Sequence, residues 1–122
     1  MTNKILLIED DAIVRRSIEM ILAKGDFTVT SAENGTKGLA VFRGAPPDLV
    51  ITDVIMPEKD GIETILEIRR QGAPVKIIAI SGGGRAGNAQ FLRMAQTLGA
   101  DEVLKKPFTE DALRTLVDKC LN

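Results

Sequence analysis

The chain has 122 residues, about the length of one domain, and its 44% hydrophobic and 27% charged residues are ordinary for a folded globular protein. Sixteen basic and seventeen acidic side chains leave a formal net charge of −1, which argues against non-specific nucleic-acid binding, because such binding needs a basic surface. The sequence has no His and one Cys, which excludes imidazole catalysis, His-ligated zinc, a disulfide within the chain and a cysteine metal cluster.

No segment reaches the roughly 18–20 apolar residues of a membrane span. The first apolar run, residues 5–8, is interrupted by Glu9 and is too short for the core of a secretory signal. We therefore expect one domain over residues 1–122, located in the cytoplasm, with no membrane insertion and no direct contact with nucleic acid.

Short apolar runs alternate along the chain with stretches of helical spacing. Five runs, most of them rich in Val and Ile, predict strands buried on both faces at residues 5–8, 27–30, 49–52, 75–80 and 103–104. Each strand is followed by a predicted helix. The apolar faces of these helices consist of Val14, Ile18, Ile21 and Leu22; Leu39, Ala40 and Phe42; Ile62, Ile65 and Leu66; Phe91, Leu92, Ala95 and Leu98; and Ala112, Leu113, Leu116, Val117 and Cys120.

Strands that alternate with helices predict an α/β domain built on a parallel sheet. Right-handed crossovers restrict the topology, and we expect a five-stranded flavodoxin-like sheet in the order 2-1-3-4-5, flanked by five helices on its two faces. In such sheets ligands bind at the carboxyl ends of the strands, near the point where the strand order reverses. The residues that follow each strand are therefore the candidate site.

Polar residues follow four of the predicted strands: Glu9, Asp10 and Asp11; Asp53; Ser81; and Lys105 and Lys106. Each residue alone has an ordinary structural interpretation, and Asp11 is assigned mainly to capping the first helix. Together the carboxylates would repel one another by about 4 kcal/mol per pair at ~4 Å, at an effective dielectric constant near 20. The cluster therefore predicts a cation, either Lys106 or a divalent ion, and oxygen ligands favour Mg²⁺.

Three motifs at these positions resemble the receiver domains of bacterial two-component response regulators. They are Leu6-Leu7-Ile8-Glu9-Asp10-Asp11; the stretch from Pro47 to Gly61, with Asp53, Met56-Pro57 and Asp60-Gly61; and Leu104-Lys105-Lys106-Pro107-Phe108. The resemblance extends from Lys4 to about Leu121. It implies a receiver fold and a phosphorylation-controlled signalling module that helps to catalyse its own phosphorylation and dephosphorylation. An enzyme acting on outside substrates is not implied.

The resemblance implies a role for each matching residue. Asp53 would accept the phosphoryl group, and Lys106 and Ser81 would contact that group. Asp10, Asp53 and the backbone carbonyl of Ile55 would bind Mg²⁺, with Glu9 acting through coordinated water. Further implications are a Lys106-Pro107 bond that is often cis, a sensor histidine kinase or histidine phosphotransfer protein as donor, and a downstream protein that reads the face of the fourth helix, fifth strand and fifth helix.

The sequence departs from the family pattern at two places. Val103 stands where the family usually has Tyr or Phe, so the usual coupling between a hydroxyl and an aromatic ring is not implied. The segment after Ser81 is rich in glycine, including Gly82-Gly83-Gly84, and is either a flexible connection or a loop that folds over the phosphoryl group. Ile55 and Gly83, two residues beyond Asp53 and Ser81, flank the expected path of the hydrolytic water. Because neither side chain can orient that water, we expect slow loss of phosphate.

Three alternatives are disfavoured. A Mg²⁺-dependent hydrolase with an aspartyl-phosphate intermediate, as in haloacid dehalogenase-type phosphatases, would need an Asp two residues after the nucleophile, where this chain has Ile55. A flavin-binding domain of the same sheet order would need a hydroxyl-rich loop after the first strand, where this chain is acidic. A scaffold that no longer accepts phosphate would not need to keep every matching site residue.

Overall fold

The computed structural model describes residues 2–54, 61–72, 74–81 and 88–122, with the backbone alone at residues 88, 89 and 91. The expectations for Ile55, Phe91, Gly83 and the glycine-rich segment lie outside the described residues or side chains. Strands and helices alternate: β1 (Asn3–Ile8), α1 (Ala12–Leu22), β2 (Phe27–Ala32), α2 (Gly35–Gly44), β3 (Leu49–Asp53), α3 (Gly61–Arg70), β4 (Lys76–Ser81), α4 (Asn88–Leu98), β5 (Glu102–Lys105) and α5 (Glu110–Leu121).

The five strands form one parallel sheet in the order β2-β1-β3-β4-β5, which confirms the predicted fold class and topology. The register aligns the carboxyl ends of the central strands, because Ile8 pairs with Thr52, Asp53 with Ile80 and Ser81 with Lys105. The carboxyl ends of β1, β3, β4 and β5 therefore meet at a single edge of the sheet. The strand order reverses between β1 and β3, so this edge is the expected place for a ligand.

Two hydrophobic layers cover the sheet. Alternate strand residues point to opposite faces, as the two-residue period of a strand requires. One layer packs Leu6, Ile8 and Ile77 against helices α2, α3 and α4. The other packs Leu7 and Ile51, with further strand residues, against α1 and α5. This burial on both faces explains the continuous apolar runs of β1, β3 and β4, whereas the edge strand β2 alternates between half-buried and exposed residues over most of its length, contrary to the expectation of burial on both faces.

The helices begin where the sequence places polar caps. The Asp11 side chain accepts hydrogen bonds from the backbone N–H groups of Ile13 and Val14, as expected for the residue before α1. Thr109 caps α5 by accepting a hydrogen bond from the N–H of Ala112. The helix cap thus fixes the direction in which the chain leaves the carboxyl end of β1.

Small differences from the sequence expectations concern boundaries and one helix face. The fourth strand covers Lys76–Ser81, one residue later than predicted, because Val75 is buried without joining the ladder. Ala40, predicted on the apolar face of α2, is exposed, whereas Leu39 and Phe42 are buried as expected. The spacing of apolar residues indicates which residues are buried. A buried segment and the hydrogen-bonded part of a strand need not begin or end at the same residue.

At the opposite edge of the sheet, where the strands begin, one arginine connects several segments of the chain. The Arg69 guanidinium donates to the carbonyl oxygens of Gly99 (2.7 Å) and Val75 (2.7 Å) and to Asp101 Oδ2 (2.8 Å). The same Asp101 oxygen accepts the N–H of Ile77 at 2.8 Å. The end of α3 is therefore tied to β4 and to the connection between α4 and β5.

Among the helices that the structure describes, none has the length and apolar character needed to cross a lipid bilayer.

Candidate functional site

Three carboxylates meet at the carboxyl edge of the sheet. Glu9 and Asp10 follow β1, and Asp53 is the last residue of β3. One oxygen from each lies within 4.8 Å of the others. Glu9 and Asp53 are 1% and 6% exposed, whereas Asp10 is exposed to solvent. The site is therefore an acidic pocket that is buried at its base and open on the side of Asp10.

One lysine reaches this pocket from β5. Lys106 Nζ lies 2.8 Å from Glu9 Oε1 and 3.2 Å from Asp53 Oδ2, and the lysine side chain is 18% exposed. The backbone N–H of Lys106 donates to the carbonyl of Ser81 at 2.8 Å, which continues the pairing of β4 and β5 past Lys105. The neighbouring Lys105 is exposed, and the Lys106-Pro107 bond is cis.

The electrostatics of the pocket follow from burial and close charges. Burial raises the pKa of Glu9 to about 7 from 4.5, and the Asp53 carboxylate raises it as well, although the hydrogen bond from Lys106 lowers it. Burial alone would lower the pKa of Lys106, but its hydrogen bond to Glu9 and its attraction to Asp53 raise the pKa overall. The ammonium therefore stays charged and partly neutralises the two buried acids.

Glu9 is held through its backbone as well as its side chain. Its N–H donates to the carbonyl of Ala32 at 3.0 Å, and its carbonyl accepts from Arg15 Nη1 at 2.8 Å. Glu9 Oε2 accepts the N–H of Asp11 at 3.1 Å. Sequence reasoning assigned Asp11 to helix capping and did not identify Arg15. No sequence signal points to Arg15, because its contact depends on where α1 lies relative to the end of β1.

The chain after β3 passes very close to itself. The N–H of Gly61 donates to the carbonyl of Val54 at 2.8 Å. A Cβ atom at Gly61 would lie 2.0 Å from the carbonyl oxygen of Asp53 and 2.7 Å from Cα of Val54, a distance that only glycine permits. The Asp60-Gly61 motif marked this residue in the sequence, but the reason for glycine is visible only in the fold.

The two remaining positions singled out in the sequence, Ser81 and Val103, lie on the neighbouring strands β4 and β5. Ser81 ends β4 and is fully buried at the same edge as Asp53. Val103 lies half-buried in β5 and packs against the hydrophobic layer that contains Leu92 and Ala95. The structure thus brings Glu9, Asp10, Asp53, Ser81 and Lys106 to one edge of the sheet.

The donor set fits a hard divalent cation. All three acidic residues offer carboxylate oxygens, and with no His in the chain and the only Cys in α5, no softer ligand joins them. Mg²⁺ prefers such oxygen ligands and retains several waters, so an open side at Asp10 suits it. The cation would also relieve the repulsion between the buried acids, which Lys106 relieves only in part.

An apolar groove lies next to the acidic pocket. It has a volume of about 510 Å³ and is lined by one side of α1 and by the segment after β5. Its lining residues are Ile13, Val14, Ser17, Ile18, Ile21, Lys106, Pro107 and Phe108. Ile13 is 79% exposed. Because Lys106 borders both the groove and the pocket, a molecule in the groove would lie beside the acidic site.

The fold and the position of this site are those of a signalling domain of the receiver class. A family model for the response regulator receiver domain matches residues 5–118. The chain belongs to the response regulator receiver domain family.

Relatives of known sequence or structure agree with this assignment. The chain is 36% identical over 123 residues to the chemotaxis protein CheY of Bacillus subtilis, and the match covers 100% of both chains. It is 36% identical to the probable C4-dicarboxylate response regulator DctR of the same organism, covering 95% of this chain but about half (51%) of DctR. The crystal structure of a response regulator receiver domain protein from Clostridium thermocellum superposes with a TM-score of 0.89 at 30% identity, covering 98% of this chain and 94% of that one.

Proposed function

We propose that this receiver domain accepts a phosphoryl group on Asp53 from a phosphohistidine donor, in a Mg²⁺-dependent reaction, and thereby changes its affinity for a partner protein. The observation that carries the proposal is the position of Lys106. Its ammonium bridges Glu9 and Asp53 across the sheet edge, within a group of three carboxylates. This arrangement places a cationic group at the point where an aspartyl oxygen would meet a phosphoryl group.

Asp53 is proposed as the nucleophile. A carboxylate oxygen of Asp53 would form a bond to phosphorus as the P–N bond of the phosphohistidine breaks, and the bonding electron pair would leave with the imidazole. The transferred group spreads negative charge over its equatorial oxygens, so positioning and nearby cations supply most of the catalysis. Lys106, already 3.2 Å from Asp53 Oδ2, would pair with one of those oxygens.

The metal would be held by Asp10 and Asp53, with Glu9 acting through coordinated water and the Ile55 carbonyl as a further ligand. When bound, Mg²⁺ supplies positive charge that reduces the repulsion between an anionic nucleophile and an anionic phosphoryl group. Glu9 lies deepest in the pocket, and its side chain is fixed by Lys106 and by the N–H of Asp11. It is therefore positioned to orient water without moving.

The response to phosphorylation is proposed to begin at Ser81. Phosphorylation adds about 1.5–2 negative charges and several strong acceptor oxygens at Asp53. Ser81 lies on the adjacent strand, and its hydroxyl could donate to one of those oxygens. Movement there would be passed to the face formed by α4, β5 and α5. A downstream protein would read that face.

The donor is proposed to dock on the groove between α1 and the segment after β5. The groove is apolar, it borders Lys106, and the exposed Ile13 offers a side chain for a partner to cover. A helical phosphohistidine protein lying there would bring its imidazole next to Asp53. We expect Ile13→Asp to leave phosphorylation by acetyl phosphate unchanged but to slow transfer from a histidine phosphotransfer protein, which separates docking from chemistry.

The central test is phosphorylation by a small donor. The protein is incubated with acetyl phosphate and Mg²⁺, and the intact mass is measured. One added phosphoryl group is expected on the wild type and none on Asp53→Asn or after chelation of Mg²⁺. Addition of the group to Asp53→Asn, or no addition to the wild type, would refute the proposal. Continuous release of phosphate from a simple phosphomonoester would instead favour the hydrolase.

A further inference from the structure

Arg15 holds the peptide group that joins two of the acidic residues. Its Nη1 donates to the carbonyl of Glu9 at 2.8 Å, and that carbonyl belongs to the peptide bond between Glu9 and Asp10. A peptide group is planar, so fixing its oxygen fixes the plane from which the Asp10 Cα atom projects. Arg15 itself is half-buried, whereas Asp10 is exposed and has no strand or helix of its own to orient it.

Other hydrogen bonds fix the two ends of the segment between β1 and α1. Rotation of the Glu9–Asp10 peptide between those ends is left for Arg15 to restrict. The N–H of Glu9 is bound to the carbonyl of Ala32, which extends the pairing of β1 and β2 by one residue. The N–H and side chain of Asp11 are bound to Glu9 Oε2 and to the first turn of α1. Between these two points, the guanidinium of Arg15 holds the Glu9–Asp10 peptide through its carbonyl oxygen.

We propose that Arg15 is a positioning residue for the Mg²⁺ site, acting through the Glu9–Asp10 peptide and not through contact with the metal or the phosphoryl group. Residues that hydrogen-bond to metal ligands and orient them, without contacting the metal, commonly raise metal affinity tenfold or more. The inference rests on the proposed function only in that the cation is Mg²⁺ at the carboxylates of Glu9, Asp10 and Asp53.

Charge and positioning predict opposite effects of removing this arginine. Arg15 is a cation near an acidic pocket, so loss of its charge alone would strengthen the binding of another cation. Loss of the hydrogen bond would free the Glu9–Asp10 peptide to rotate, which would weaken binding because the ligands would have to be ordered first. The sign of the change in Mg²⁺ affinity therefore separates the two.

The chain supplies a matched control in the next residue. Arg16 carries the same charge on the same helix turn, but its side chain is exposed. Arg15→Gln and Arg16→Gln remove equal charge with equal change in helix propensity. Mg²⁺ affinity is measured by titration followed by NMR, with the free energy of unfolding measured without divalent ions.

We expect Arg15→Gln to bind Mg²⁺ about tenfold more weakly than the wild type, while Arg16→Gln stays within about twofold. The carbonyl ¹³C resonance of Glu9 should shift in Arg15→Gln alone, because that carbonyl loses its donor. If Arg15→Gln binds Mg²⁺ as tightly as the wild type or more tightly, the proposal is wrong, even if the variant is less stable. A purely structural arginine would lower stability and leave the affinity of the folded protein unchanged.

Phosphorylation by acetyl phosphate gives an independent reading. At limiting Mg²⁺ the rate of Arg15→Gln should fall about tenfold, and at saturating Mg²⁺ it should return to within about twofold of the wild type. A rate that stays low at saturation would show that Arg15 acts on the phosphoryl group, contrary to the proposal. If the wild type binds Mg²⁺ but never takes a phosphoryl group, the proposed function fails and the role of Arg15 still stands.

Discussion

Lys106→Met tests whether the ammonium is what makes the acidic pocket tolerable in the absence of metal. The change removes a charge that lies 2.8 Å from Glu9 Oε1 and 3.2 Å from Asp53 Oδ2. Removing one partner of a buried ion pair costs about 3–5 kcal/mol. Glu9 can limit the loss by taking up a proton. Because its pKa is about 7, that carboxyl is already about half protonated at pH 7, so completing the uptake costs little and the remaining cost is the loss of the ammonium beside Asp53.

We therefore expect Lys106→Met to lower the free energy of unfolding by about 3 kcal/mol at pH 7 without divalent ions, near the lower end of the range for a broken buried pair. At pH 5 the loss should be smaller by less than about 1 kcal/mol, because Glu9 is then protonated in the wild type as well as in the variant. Saturating Mg²⁺ should narrow the difference, since loss of the competing ammonium lets the variant bind the cation more tightly, and mass action then stabilises the variant more than the wild type.

The assay is urea unfolding followed by far-UV circular dichroism, because the chain has no Trp and no Tyr for fluorescence. Lys105→Met is the matched control, since Lys105 is adjacent in sequence and exposed. Its effect should stay within about 0.5 kcal/mol, as for most surface changes. If the two variants are equally stable at pH 7 without Mg²⁺, the acids do not depend on the ammonium and the electrostatic reasoning is wrong.

Further predictions concern pH and packing. Because the pKa of Glu9 is raised to about 7, the folded chain holds a proton that the unfolded chain has released, so without divalent ions the unfolding free energy should fall by up to about 3 kcal/mol as the pH rises from 4.5 to 7. Glu9→Gln should flatten that slope in urea titrations at several pH values. Gly61→Ala would place its Cβ 2.0 Å from backbone, so we expect a loss of at least about 2 kcal/mol and no phosphorylation by mass spectrometry, whereas Gly44→Ala, with open space, should be neutral. Arg69→Met should cost about 2–3 kcal/mol in thermal or urea unfolding and leave the phosphorylation rate unchanged, because it acts at the opposite edge; a similar loss in the exposed Arg70→Met would contradict this.

Much of the fold could be predicted because the type of a residue indicates whether it is buried. A strand covered on both faces must be mostly apolar, as β3 is from Leu49 to Ile51, and a helix covered on one face repeats its apolar residues at helical spacing. The sequence therefore predicts the alternation of elements and, through the rules for crossovers, their order. Boundaries were less certain, as at Val75, because burial and ladder pairing end at different residues.

The candidate site was accessible to sequence reasoning for a related reason. Parallel strands end at a common edge of the sheet. Once the topology was predicted, the polar residues at the ends of the first, third, fourth and fifth strands could therefore be assigned to one site. That reasoning placed Glu9, Asp53 and Lys106 in one group. It could not say which acid would be buried deepest, and so it could not indicate the raised pKa of Glu9.

The residue pattern alone predicts the class of fold, the edge of the sheet that carries the polar residues and the need for a cation among them. The contacts that hold that edge appear only in the folded chain: Arg15 donates to the Glu9 carbonyl, and Gly61 lies against the backbone of Asp53. The same holds for Arg69 at the opposite edge. The two kinds of information differ in their range along the chain. Periodicity and strand ends are local properties of a chain, whereas a hydrogen bond to a backbone carbonyl or a contact that excludes Cβ depends on how whole elements pack, which no local pattern records.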